Sequence, residues 1–305
     1  MPVLDSSSAI TQWEGNTPLL PARHYSHDNS IHLYLKNECQ NPTGSFKDRY
    51  DCLSVNVARA MGFEKVVCAS TGNHALSVAS YAAAAGLGCR AIVADSASRQ
   101  VLATLKIYGA EVQVVSPEER FGILAEEGRA GAFPVGLFMP GPTTNPFGIE
   151  AYKTIAYEVV EQLGRVPDAV VFPCARGNGL YGAWKGFEEL REFGVIKKSP
   201  RMFACQPSAA PSLVSAFESE LESPATVKPQ HTIADAICEN LSSQQALDAI
   251  RRSHGAAVGV EEDEIMSAMF QLGEEAVVIS SGYKSSLPIC DRILGKWRQD
   301  AEADF

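Results

Sequence analysis

Short apolar runs of strand length alternate with longer helix-period patterns along most of the chain, and this alternation predicts an α/β protein with mostly parallel sheets. Val66–Ala69 reads as a strand, Ala75–Ala85 as a helix stopped at Gly86, and Arg90–Ala94 as the next strand, which makes one βαβ unit. A second unit follows, with a helix near Ser98–Tyr108 ended by Gly109 and then the strand Glu111–Val115. From Tyr152, the apolar side chains of Tyr152, Ile155, Ala156, Val159, Val160 and Leu163 share one helix face, and Gly164 and Pro167 end the run. The strand Ala169–Phe172, a helix over Ala183–Phe193 and a strand over Arg201–Cys205 are expected next. Between these blocks, residues 131–149 hold four glycines and four prolines, the composition of a connection between lobes. The tail from Asp291 reads as a charged surface helix, and there is no internal repeat.

Composition narrows the class. A chain of 305 residues with 46% hydrophobic content suggests two lobes with large cores. The longest apolar stretch, Ala75–Leu87, is broken by Ser77 and Ser80 and is too short to cross a bilayer. The N-terminal stretch lacks the basic start and apolar run of a signal peptide, so a cytoplasmic protein with no membrane association is expected. A formal charge of −10 gives no basic footprint for nonspecific nucleic-acid binding. The eight cysteines form no C-x-x-C pair, which argues against a zinc ribbon or disulfide scaffold and leaves small core residues. His24, His27 and His32 lie close in sequence, but no well-spaced carboxylate or cysteine completes a site, so surface histidines and no metal are expected.

Three segments carry chemistry. Asn41-Pro-Thr-Gly-Ser-Phe-Lys-Asp-Arg49 sets Lys47 just after a Pro/Gly turn, in the first turn of a helix. A helix N-terminus and burial both disfavour an ammonium, and so favour the neutral amine that imine formation requires. A solvated lysine is the plainer reading of this segment alone. Ser70-Thr-Gly-Asn-His74 falls between a strand and a helix, where amides and small hydroxyls converge on an anion such as a carboxylate, or simply cap the helix. Pro173-Cys-Ala-Arg-Gly-Asn-Gly-Leu-Tyr-Gly182 brings glycines between a strand and a helix, close to a phosphate. It also matches G-x-G-x-x-G, but a dinucleotide site needs an acidic residue after the next strand, and that strand runs into Gln206. A single phosphate is preferred.

Together these segments resemble the fold type II enzymes that use pyridoxal 5′-phosphate (PLP), the tryptophan synthase β-like superfamily, and most closely the threonine synthases. Further likeness runs through Glu14-Gly-Asn-Thr-Pro-Leu19, Lys106-Ile-Tyr-Gly-Ala-Glu-Val112, Asn145-Pro-Phe-Gly-Ile-Glu-Ala-Tyr-Lys-Thr-Ile-Ala156, Glu161-Gln-Leu-Gly164 and Trp184-Lys-Gly-Phe187. It covers roughly residues 13–190 and fades beyond. The resemblance implies two three-layer α/β lobes with twisted, mostly parallel sheets: a large cofactor-binding domain of residues 1–48 and 146–305, and a small domain of residues 49–145, with PLP in the cleft. It implies that Lys47 carries PLP as an imine beside Phe46, and that Asn73 hydrogen-bonds the 3-oxygen. Arg176, Gly177, Asn178, Gly179 and Leu180 would surround the phosphate. Ser70, Thr71, Gly72 and His74, with Arg176, would meet the substrate. The freed Lys47 amine is then the general base for the α-proton.

Two departures stand out. Threonine synthases usually carry an arginine for the substrate phosphate where this chain has Gly148, and an asparagine where it has Arg176, so either the cation has moved or the pocket serves another anion. Near the C-terminus, Ser280-Ser-Gly-Tyr-Lys-Ser-Ser286 replaces a small-residue stretch, and the sequence reaches Phe305 without the family's last strand. The contact to the pyridine nitrogen is left to Ser280, Ser281 or a water, and a more open site is expected. Tyr283 and Lys284 replace small residues there, and Asp48 and Arg49 read as structural support for the Lys47 turn. Three functions stay open: elimination or replacement on a small amino acid or phospho-amino acid, isomerisation or carbon–carbon bond formation on an amino acid carried by a larger group such as a modified nucleobase, and noncatalytic PLP or metabolite binding. A homodimer is suggested by analogy alone.

Overall fold

The structure, a computed structural model, describes residues 9–29, 31–70, 72–138 and 143–274. Thr71, Ser280, Ser281, Tyr283, Lys284 and the tail from Asp291 lie outside the described residues. The chain packs as two compact units, Met1–Pro18 with Glu38–Thr154, and Leu19–Asn37 with Ile155–Phe305. These bounds differ from the division expected at residues 48 and 146. The helix Lys47–Ala60 runs without a break past residue 48, and Asn41 and Glu38 are bonded to Gly15 and Arg49.

The first unit is built on a four-stranded parallel sheet in the order Glu111–Val115, Gly88–Ala94, Lys65–Ala69, Phe133–Pro134. Val66, Val67 and Cys68 are all fully buried, as a parallel strand covered on both faces requires. Leu124 of the helix Arg120–Arg129 packs on Val67 and Ile92, and Tyr81 of the helix Asn73–Ala85 packs on Cys52 and Val55 of the helix Lys47–Ala60. Gly86 ends the Asn73 helix in the left-handed conformation, φ 69°.

In the second unit, a three-stranded parallel sheet runs in the order Ala256–Val260, Arg201–Pro207, Ala169–Pro173. Its core includes Phe203, Cys205, Val260 and Ile265, and Leu19–Pro21 pairs antiparallel with Tyr34–Lys36 nearby in the chain. The expected α/β class with parallel sheets is what the chain forms.

Three local expectations are corrected. Residues 131–149 are more than a connection: Phe133–Pro134 adds a strand beside Val66 and Val67, and it stays at the sheet edge, where proline's missing N–H is tolerated. The helix expected from Tyr152 forms as Lys153–Leu163, its start corrected by one residue because Tyr152 closes a separate short helix, Pro146–Ala151. The helix expected from Ala183 starts at Asn178, so the glycines lie within its opening turns. Among the described residues no helix is long and apolar enough to cross a membrane.

Candidate active site

Lys47 is the first residue of its helix, and the turn that delivers it is fixed from several sides. Gly44 takes φ +85°, outside the range comfortable for other residues, and its N–H donates to the Asn41 carbonyl at 2.8 Å. Asp48 turns back and accepts from the Thr43 N–H at 2.7 Å and the Thr43 hydroxyl at 2.5 Å. Burial pushes the Asp48 carboxyl above its ordinary pKa, and the hydrogen bonds from Ser77 and Thr43 only partly offset this. Lys47 Nζ lies 4.5 Å from the centre of the Phe46 ring, which sets both predicted residues together.

Asp48 and Arg49 do support this turn, but each through a different partner. Arg49 donates twice to Glu38, at 2.8 Å from Nε and 2.8 Å from the guanidinium terminus, and also to Thr154 at 2.8 Å. Both side chains of that ion pair are almost fully buried. Asn41 accepts from the Gly15 N–H at 2.9 Å and donates to Glu38, and Thr17 donates to Glu38 at 2.6 Å. Two sequence motifs, Glu14–Leu19 and Asn41–Arg49, are thus joined through Glu38, a residue the sequence reading did not single out.

Ser70 follows the strand Lys65–Ala69, Gly72 caps the helix Asn73–Ala85, and Asn73 and His74 open it. Its N-cap, Gly72, has no side chain to cap the first turn, a position suited to an anion. His74 is committed to its surroundings. Its Nδ1 lies 3.0 Å from the fully buried Asp51 carboxylate, and its Nε2 lies 3.2 Å from the Val135 carbonyl. Tyr50 stands edge-on to the His74 ring. The Tyr50 hydroxyl donates to the Gly136 and Asn145 carbonyls, at 3.2 Å each, and burial drives its pKa well up.

In the second unit, Cys174–Arg176 lead from the strand Ala169–Pro173 to Gly177, the N-cap of the helix Asn178–Glu192. Gly177 takes φ +85°, and a Cβ there would be 2.3 Å from Ala246 Cβ. Gly179 and Leu180 are buried in the first turn. Gly177 likewise offers no capping side chain, and a buried Asn178 Oδ1 has no partner among the described residues. A glycine N-cap leading into uncapped helix amides fits a phosphate monoester. Arg176 approaches Glu239 at 3.4 Å, so the cation expected in this loop faces a carboxylate. His24, His27 and His32 are exposed.

Comparison with known proteins agrees with this reading. Residues 10–284 match the family described as "Pyridoxal-phosphate dependent enzyme". A threonine synthase of Methanocaldococcus jannaschii is 34% identical over 300 residues, covering 96% of this chain and 73% of that one. A threonine synthase of a Bacillus species (strain ULM1) is 33% identical over 289 residues, covering 94% and 79%. Among solved structures, a maize serine racemase superposes with a TM-score of 0.80 at 21% identity, over 92% of this chain and 83% of that one. The processed form of a threonine deaminase from Solanum lycopersicum gives 0.78 at 19%, over 92% and 80%. By the family match over most of its length, this chain belongs to the pyridoxal-phosphate dependent enzymes, with PLP as its cofactor.

Proposed function

We propose that this enzyme performs elimination or replacement at a small amino acid or phospho-amino acid, in the manner of a threonine synthase. The observation that carries the reading is Lys47, the first residue of its helix, in a turn held by a partly buried Asp48–Thr43 clamp beside the Phe46 ring. When bound, PLP supplies the electron sink that makes an α-proton removable. Lys47 Nζ holds the cofactor between turnovers and takes the α-proton during them. In this reading Asn73 meets the cofactor ring oxygen, and Ser70, Thr71 and Gly72 meet the substrate carboxylate. The amides of Gly177, Asn178, Gly179 and Leu180 meet the phosphate. His74, held by Asp51 and Val135, orients the start of its helix beside that carboxylate.

One observation favours a second reading, in which the same base works on an amino acid without a phosphate and the product is an isomer. Gly148 is buried, and the ring of Tyr50 fills the space its side chain would need. A cation for a substrate phosphate therefore has no room at that position. The two readings separate by products. Incubation with O-phosphohomoserine releases threonine and inorganic phosphate under the first, whereas under the second serine or threonine changes configuration and neither phosphate nor ammonia appears.

A further inference from the structure

Gln206 sits at the end of the central strand Arg201–Pro207 and is 1% exposed, yet its amide faces polar partners on both sides. Its Nε2 donates to the carbonyls of Cys174 and Ala175, at 3.2 Å each, and to the Ser242 hydroxyl at 3.0 Å. Its Oε1 accepts from the Leu213 N–H at 2.7 Å and the Val214 N–H at 3.4 Å. The partners fix which end of the amide is which, since one end meets only N–H groups and the other meets carbonyls. Ser242 adds a second bond, donating to the Ala175 carbonyl at 2.8 Å, and the Ser243 N–H donates to the Arg176 carbonyl at 2.9 Å.

These bonds hold successive carbonyls of the segment that enters the glycine loop. In a planar trans peptide the N–H points opposite to the C=O. Holding the Ala175 carbonyl therefore turns the Arg176 N–H away from Gln206 and Ser242, and holding the Arg176 carbonyl does the same for the Gly177 N–H. The structure carries three independent reasons for this segment's orientation: the Gln206 amide, the Ser242–Ser243 pair, and Ala246 against Gly177.

We propose that Gln206 is a positioning residue for the cofactor phosphate: through the Ala175 carbonyl it aims the Arg176 N–H at the entry of the Arg176–Leu180 loop, and so sets the direction in which the Gly177–Leu180 amides follow. It does not touch PLP. This rests on the reading that Gly177–Leu180 receive the phosphate, and it assigns a role to a residue outside that loop.

The test compares PLP with pyridoxal, the same molecule without the phosphate. Dissociation constants for both are measured on the full chain carrying Gln206→Met, Ser242→Ala or Gly177→Ala, beside the unaltered protein. A lost buried hydrogen bond of this kind lowers affinity about tenfold. Gln206→Met is expected to weaken PLP by about that factor while leaving pyridoxal unchanged, and Ser242→Ala is expected to act in the same direction more weakly. If Gly177→Ala abolishes the preference for PLP while Gln206→Met and Ser242→Ala leave it intact, the loop reading stands and the role of Gln206 is overturned. If the unaltered protein shows no preference for PLP, or Gly177→Ala does not change it, both fail together. Equal weakening of both ligands in Gln206→Met marks a general packing role and also overturns the proposal. Should Gln206→Met not fold, Ser242→Ala decides, because it removes one donor to the Ala175 carbonyl and one acceptor of the Gln206 amide while leaving Gln206 in place.

Discussion

The ring of Tyr50 occupies the place of a side chain at residue 148: a Cβ on Gly148 would lie 2.4 Å from Tyr50 Cε2 and Cζ. Tyr50 is held there by its hydroxyl, which reaches two carbonyls, and by the neighbouring ring of Tyr152. Position 148 therefore has no room for even a methyl group unless the aromatic ring moves. Gly148→Ala is expected to destabilise the protein by about 1–3 kcal/mol through overpacking. Combining it with Tyr50→Leu should recover part of that loss, as coupled neighbours do. Urea unfolding of the two single variants and the double variant measures this; additive effects would show that the two residues do not share the space.

The Arg49–Glu38 ion pair beside the Lys47 turn is almost fully buried. Removing one partner leaves a charge without its counterion. Glu38→Ala is expected to lower stability by about 3–5 kcal/mol, with a smaller loss for Glu38→Gln, which can still accept from Arg49 and Thr17. Denaturant midpoints for the two variants check the order.

Asp48 gives a pH signature. Its carboxyl titrates above its ordinary value because burial outweighs the hydrogen bonds it receives. The native state therefore binds this proton more tightly than the unfolded chain does, and the Asp48 contribution to stability falls as pH rises from the unfolded value to the raised native one. Asp48→Asn keeps an acceptor for the Thr43 N–H and a donor for the Thr43 hydroxyl but does not titrate. The variant should gain stability relative to the parent as pH rises across that window, read from urea midpoints between acid and neutral pH. A parallel pair of curves would contradict the assignment.

Much of the fold was legible in the sequence because parallel strands and their helices have clear periods. Glu111–Val115 is a strand at the bounds expected, and Gly86 stops its helix where expected. The start of the Asn178 helix was missed because Gly177, Gly179 and Gly182 read as loop, whereas their small size lets the backbone pack closely. Phe133–Pro134 was missed because proline argues against a strand unless the strand lies at an edge. In the site, Lys47, Asn73 and the glycine loop could be singled out because their residue types carry chemistry. Glu38 and Gln206 could not, since their roles come from partners distant in sequence. Gln206 entered the sequence reading only as the absence of an acidic residue, and the structure turns it into the centre of a buried network.

Whether Lys47 holds the cofactor is read from the visible absorption spectrum of the PLP-reconstituted protein. PLP bound to the Lys47 amine is expected to give a band, absent in Lys47→Ala and shifted when the preferred substrate among O-phosphohomoserine, O-phosphoserine, serine, threonine and glycine is added. The same band in Lys47→Ala, or none in the unaltered protein, would contradict it.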